Sequence, residues 1–187
     1  MGLSILLSAF LLIAATELGD KTMVTVITLS SKHGRREVFL GAVSSLAAVS
    51  ALGALIGGAL FEVIPEDVLA LSAGCAFILF GTYTLLKEEK KEAVQVKSGN
   101  AFITTFSLIA LMEMGDKSQL SILTLAAGSG SYLLVLIGAI MAFGLIVTLE
   151  VLLGERIGRV LRPEVLRLGG GAVFLVFGTI FLVQALL

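Results

Sequence analysis

Six apolar stretches, each long enough to cross a lipid bilayer, limit what this chain can fold into. They cover roughly residues 3–30, 38–61, 67–87, 101–127, 132–153 and 166–187. A helix needs about 20 apolar residues to cross about 30 Å of hydrocarbon, whereas barrel strands are about half as long and alternate in polarity. The runs therefore predict an all-α integral membrane protein with six transmembrane helices. Composition agrees, with 57% of the 187 residues hydrophobic and 14% charged. Soluble domains have about 45–50% and about 25%. Mean hydropathy is +1.06, which excludes a disordered chain as well as a soluble globule. The connecting segments leave no room for a soluble domain. The first and fourth runs are longer than a span requires, which predicts a tilt or a break in each.

Several functions are excluded by what is scarce. The single cysteine, Cys75, rules out an internal disulfide and a cysteine-based metal cluster. It lies in an apolar run and is expected to pack there. The single histidine, His33, sits in a charged loop, so no histidine metal site is expected. A net charge of −1 gives no footprint for nucleic acid.

Basic residues set the orientation. Lys32, Arg35 and Arg36 fall in or beside loop 31–37. Lys87, Lys90, Lys91 and Lys97 fall in segment 87–100, and Arg156, Arg159, Arg162 and Arg167 in or beside loop 154–165. These are eleven of the thirteen basic residues. The opposite side, comprising both termini and the segments around 62–67 and 128–131, has none. The positive-inside rule then predicts both termini outside and the three basic loops in the cytoplasm. The expected setting is the cell membrane of a prokaryote.

The two remaining basic residues lie inside spans, in a repeated motif. Glu17-Leu18-Gly19-Asp20-Lys21-Thr22 matches Glu113-Met114-Gly115-Asp116-Lys117-Ser118. The correspondence extends through Gly41-Ala42 with Gly138-Ala139, Gly57 with Gly154, Pro65-Glu66 with Pro163-Glu164, and Phe80-Gly81-Thr82 with Phe177-Gly178-Thr179. The chain thus divides into a three-helix repeat over 1–87, a charged cytoplasmic linker over 88–100, and a second repeat over 101–187. Three is odd, so the second repeat is inverted relative to the first. Inverted repeats are common in secondary transporters, whose substrate site lies near the midplane where the repeats meet.

A charge at the centre of a bilayer costs about 2.5–3.5 kcal/mol on insertion scales. The six charged motif residues must therefore face one another or water. On an unbroken helix, positions i, i+3 and i+4 share a face. Glu17, Asp20 and Lys21 are expected to form one stripe, and Glu113, Asp116 and Lys117 another. Hard divalent cations prefer oxygen ligands, which makes Glu17, Asp20, Glu113 and Asp116 the candidate metal ligands. Thr22, Ser118 and Gln119 offer further oxygens. Lys21 and Lys117 compensate charge, pairing with the acids when metal is absent. The four acids and two lysines carry a net charge of −2, which one divalent cation or two protons would neutralise.

Gly19 and Gly115 fit either a local helix break or close helix packing. Gly53-x3-Gly57 and Gly154-x3-Gly158 are expected to serve packing. Met23, Met112 and Met114 read as gap-filling residues beside the motifs. Glu150, near the cytoplasmic end of the fifth span, is expected to pair with a basic residue of loop 154–165. A proton-acceptor role is the alternative.

Two copies of Glu-x-Gly-Asp-Lys-[Ser/Thr], one opening each three-helix half, resemble the signature of the Gdt cation-transporter family. The resemblance extends over almost the whole chain. It implies a secondary active transporter that exchanges Mn²⁺ or Ca²⁺ for H⁺, with the motif acids binding the ion. The metal ion and protons would be substrates, no prosthetic group is implied, and the chain would not be an enzyme. The family motif often ends in Gln, as at Gln119, but the first copy has Met23 there. A passive cation channel and a six-span exporter of a small organic solute such as an amino acid are the competing readings. An intramembrane aspartyl protease fits badly, because position 17 is Glu and lysines flank both aspartates. The partners are lipid, metal ion and protons, and a homo-oligomer is compatible.

Overall fold

In a computed structural model, the described residues are 2–18, 20–86, 100–160 and 163–186. They form eight helices and no strand. The helices are α1 (Gly2–Glu17), α2 (Lys21–Lys32), α3 (Arg35–Val63), α4 (Glu66–Leu86), α5 (Ala101–Glu113), α6 (Lys117–Ser129), α7 (Tyr132–Val160) and α8 (Pro163–Leu186). Four of them contain stretches long and apolar enough to cross a membrane: Arg35–Val63, Asp67–Leu86, Tyr132–Leu152 and Leu168–Leu186. The pair α1 and α2 gives a fifth if it is read as one span bent by 70°.

This differs from six uninterrupted spans at two places. The first run is split between α1 and α2, and the fourth between α5 and α6. With 16 and 13 residues, α1 and α5 reach about 24 Å and about 20 Å at 1.5 Å per residue, short of about 30 Å of hydrocarbon. The loop expected at 154–165 is also shorter, because α7 stays helical through Val160 and α8 begins at Pro163. Proline is favoured in a first helical turn, where its missing N–H costs nothing. The lysines of the expected linker, Lys87 to Lys97, and Arg162 lie outside the described residues.

The packing crosses between the sequence halves. Helix α3 lies against α5 and α6, α7 lies against α1 and α2, and α4 lies against α8. Small residues permit the first two contacts. A β-carbon on Gly57 would strike the Leu123 carbonyl oxygen and stand 2.8 Å from Ala126 Cβ. Backbone of α3 therefore touches backbone of α6, the approach that small residues allow in membrane helices. Gly41 meets Phe102 and Thr105 of α5, and its repeat counterpart Gly138 meets Leu6 and Ala9 of α1. The α4–α8 seam is aromatic. Phe77 lies 5.9 Å from Phe174 and 5.8 Å from Phe181 between ring centroids, and such pairs add about 0.5–1.5 kcal/mol beyond area burial.

The exterior is apolar as well as the core. Large apolar side chains such as Leu3, Leu11, Leu55, Leu79, Leu152 and Val176 are exposed, while Glu17, Asp20, Glu113 and Glu150 are buried. An apolar exterior of this extent marks a lipid-facing surface. Cys75 is exposed on α4 rather than packed inside, because it falls on that helix's outer side.

Candidate cation site

The two helix breaks build the site, and they are alike. Glu17 is the last residue of α1 and Glu113 the last of α5. After each glutamate the chain makes the same turn, Asp20 N donating to Glu17 O at 3.2 Å and Asp116 N to Glu113 O at 3.1 Å. Each aspartate precedes the next helix in extended conformation, with φ/ψ of −73/171° at Asp20 and −82/173° at Asp116. Gly115 has φ +82°, in the left-handed region that L-residues enter at a cost of about 1–2 kcal/mol. A β-carbon there would meet nothing within 4 Å, so this glycine answers a backbone need rather than a packing one. Gly19 lies outside the described residues.

The unbroken stripe expected from i, i+3, i+4 spacing is therefore wrong. The helix stops at the glutamate and restarts at the lysine, with the aspartate between them. Each break also leaves carbonyls of the first half-helix and N–H groups of the second without helical partners.

Neither aspartate caps its own helix through its side chain. Each faces the lysine of the opposite motif, with Lys21 Nζ 2.9 Å from Asp116 Oδ1 and Lys117 Nζ 3.6 Å from Asp20 Oδ1. The Lys21 side chain is 44% exposed and the Lys117 side chain 18%, so the two pairs match in connection but not in access to solvent.

Asp20, Glu113 and Asp116 each bring one carboxylate oxygen within 4.8 Å of the others. Oxygens sharing one Ca²⁺ at about 2.3–2.6 Å cannot be more than about 5 Å apart, so the spacing suits a common ion. Glu17 is outside this three-oxygen group. It is buried, and the charges of Glu113, Asp20 and Glu150 act on it.

The hydroxyls hold Glu113. Thr22 Oγ1 donates to Glu113 Oε1, and Ser118 Oγ donates to Glu113 Oε2 at 2.6 Å. Gln119 Oε1 accepts from Gly115 N at 2.5 Å, so it braces the break. In this arrangement Thr22 and Ser118 bond the Glu113 carboxylate, and Gln119 bonds the Gly115 backbone. Thr25 Oγ1 donates to the Lys21 carbonyl at 3.0 Å and to Met112 Sδ at 3.6 Å. Met23 is buried and Met114 exposed.

The sequence places Glu150 near the cytoplasmic end of the fifth span, paired with a basic residue of loop 154–165. It is 3% exposed, and the side chains of Arg156, Arg159, Arg162 and Arg167 lie outside what the structure describes. Its electrostatic neighbours are Asp20 and Glu113.

Comparison with known proteins bears on this arrangement. The sequence profile of the family described as Divalent cation/proton antiporter GDT1 matches residues 5–92 and 101–187. The chain belongs to the GDT1 family. Each matched GDT1 segment contains one break, Glu17–Thr22 in the first and Glu113–Ser118 in the second. Protein PAM71, chloroplastic, of Arabidopsis thaliana is 33% identical over 92% of this chain. GDT1-like protein sll0615 of Synechocystis sp. is 27% identical over 92% of this chain and 94% of its own length. The Divalent cation/proton antiporter GDT1 of Saccharomyces cerevisiae is 24% identical over 93% of this chain and 81% of its own. The chain spans about 55% of the length of PAM71. No solved structure matches it. The GDT1 family is one of membrane transporters, in keeping with the apolar exterior.

Proposed function

We propose that this chain is a secondary transporter that exchanges a divalent cation, Mn²⁺ or Ca²⁺, for protons. The observation that carries the reading is the convergence of Asp20, Glu113 and Asp116 at two helix breaks, cross-linked by Lys21–Asp116 and Lys117–Asp20. Discontinuous helices meeting at mid-membrane are a recurring way to build ion sites in transporters. The family's name and the printed name of the yeast relative support cation/proton exchange.

The chemistry follows from charge. Without metal, the two lysines neutralise the two aspartates across the breaks. An arriving divalent cation competes with them for the same oxygens. When the cation leaves, two protons restore the neutrality that the four motif acids and two lysines lack by −2. Occupancy by metal or by protons, never both in full, is what obligatory exchange requires.

In this reading α1–α2 and α5–α6 each cross the membrane as one broken span, giving six spans in two inverted halves. The reciprocal packing of α3 on α5–α6 and of α7 on α1–α2 supports that arrangement. So does the two-part family match. Both termini would lie outside, with the basic segments 31–37, 87–100 and 154–165 in the cytoplasm of a prokaryotic cell.

Purified protein in proteoliposomes tests the proposal. A pH gradient should drive Mn²⁺ or Ca²⁺ uptake, and Glu17→Gln and Glu113→Gln should each abolish it. Flux indifferent to the gradient would favour a passive channel, and wild-type flux in both variants would remove the site assignment.

A further inference from the structure

Glu150 Oε2 is buried and has no hydrogen-bond partner. A buried polar atom without a partner is expensive, and native structures that keep one usually have an ion, a water or a chemical role for it. Glu150 is not one of the three grouped acids, but its charge acts on Glu17, Asp20 and Glu113.

The repeat shows that this acid occurs in one half only. Its counterpart is Gly53, where α3 lies so close to α6 that a β-carbon would stand 3.2 Å from the Gln119 carbonyl oxygen. The counterpart of Gln119 is Met23, buried on α2, the helix that packs against α7. The α3–α6 contact therefore carries its polar side chain on α6, and the α2–α7 contact carries it on α7. Gln119 Oε1 is engaged by Gly115 N, whereas Glu150 Oε2 is engaged by nothing.

We propose that Glu150 is a fifth acidic ligand of the cation site, supplied by α7 and drawn onto the divalent ion when it binds. The inference rests on the antiporter reading above and extends it, because the two motifs alone do not include α7. It also makes the two halves chemically unequal: the ion meets an added carboxylate on the α7 side and glycine on the α3 side.

Metal binding to the purified full chain in detergent micelles tests this apart from transport. Free Mn²⁺ is read by electron paramagnetic resonance. Wild-type protein is expected to bind Mn²⁺, and Glu150→Gln to bind at least about tenfold more weakly. In a Cys75→Ala background, Glu150→Cys should give a thiolate–cadmium absorption band on adding Cd²⁺, since thiolate is a soft ligand. A purely electrostatic or structural role would not produce that band, and it carries the test alone if Glu150→Gln does not fold. Wild-type affinity in Glu150→Gln, or a folded Cys variant without the band, overturns the inference and leaves the antiporter reading standing. Wild-type protein that binds neither Mn²⁺ nor Ca²⁺ overturns both.

Discussion

Lys21 and Asp116 are 95 residues apart in sequence and form a 2.9 Å ion pair. Lys117 and Asp20 form its counterpart at 3.6 Å. The aspartate of each motif is thus paired with the lysine of the other. The arrangement explains how charges tolerated at such cost in apolar helices remain soluble in the fold, since a buried charge must be paired.

Removing the competitor should strengthen cation binding. Lys21 is partly solvent-exposed, so its pair is worth about 0.2–1 kcal/mol. Lys21→Met is expected to raise Mn²⁺ affinity by up to about fivefold while slowing turnover, because the cation then lacks the group that displaces it. Equilibrium dialysis and liposome flux measured on the same variant separate the two effects. Weaker binding would show that Lys21 orders the site rather than competes in it.

Thr22 and Ser118 fix both oxygens of Glu113. Thr22→Val and Ser118→Ala should each weaken metal binding about tenfold, the range expected when a ligand loses its orienting hydrogen bond. Titration with Ca²⁺ followed by isothermal calorimetry reads this directly. Unchanged affinity in both variants would mean that Glu113 is held by packing alone.

The left-handed conformation of Gly115 predicts a backbone penalty. Gly115→Ala should cost about 1–2 kcal/mol of stability, with Gly115→Asn less affected, since Asn tolerates that region better. Denaturant melts in micelles compare them. An Ala variant as stable as wild type would contradict a positive φ at this position.

Metal binding should also weaken as pH falls. Protons and a divalent cation occupy the same carboxylates in the proposed cycle, and a protonated carboxylate has lost the charge that holds the metal. Proton release on adding Mn²⁺ to a weakly buffered sample, followed with a pH dye, gives the sign directly. Binding without proton release would argue against exchange.

Much of the site could be read in the sequence, because charge inside an apolar run is conspicuous and here it occurs twice. The repeat supplied the pairing of halves for the same reason. The helix break was harder to see. A lone glycine is compatible with packing or with a turn, and only the φ of Gly115 and the Asp116-to-Glu113 backbone bond decide it. Assuming a continuous helix put the aspartates on a stripe with their own lysines, when the turn directs them across to the other motif. The pairing of Glu150 with loop 154–165 falls on arginine side chains outside the described residues, while the charges that act on it are those of Asp20 and Glu113.

The crossed packing has a consequence for how the chain can be divided. Helix α3 rests on α5 and α6, and α7 rests on α1 and α2, so each sequence half finishes its interior with pieces of the other. Neither half is self-sufficient, and a chain cut between residues 86 and 100 should yield two fragments that fold only when made together.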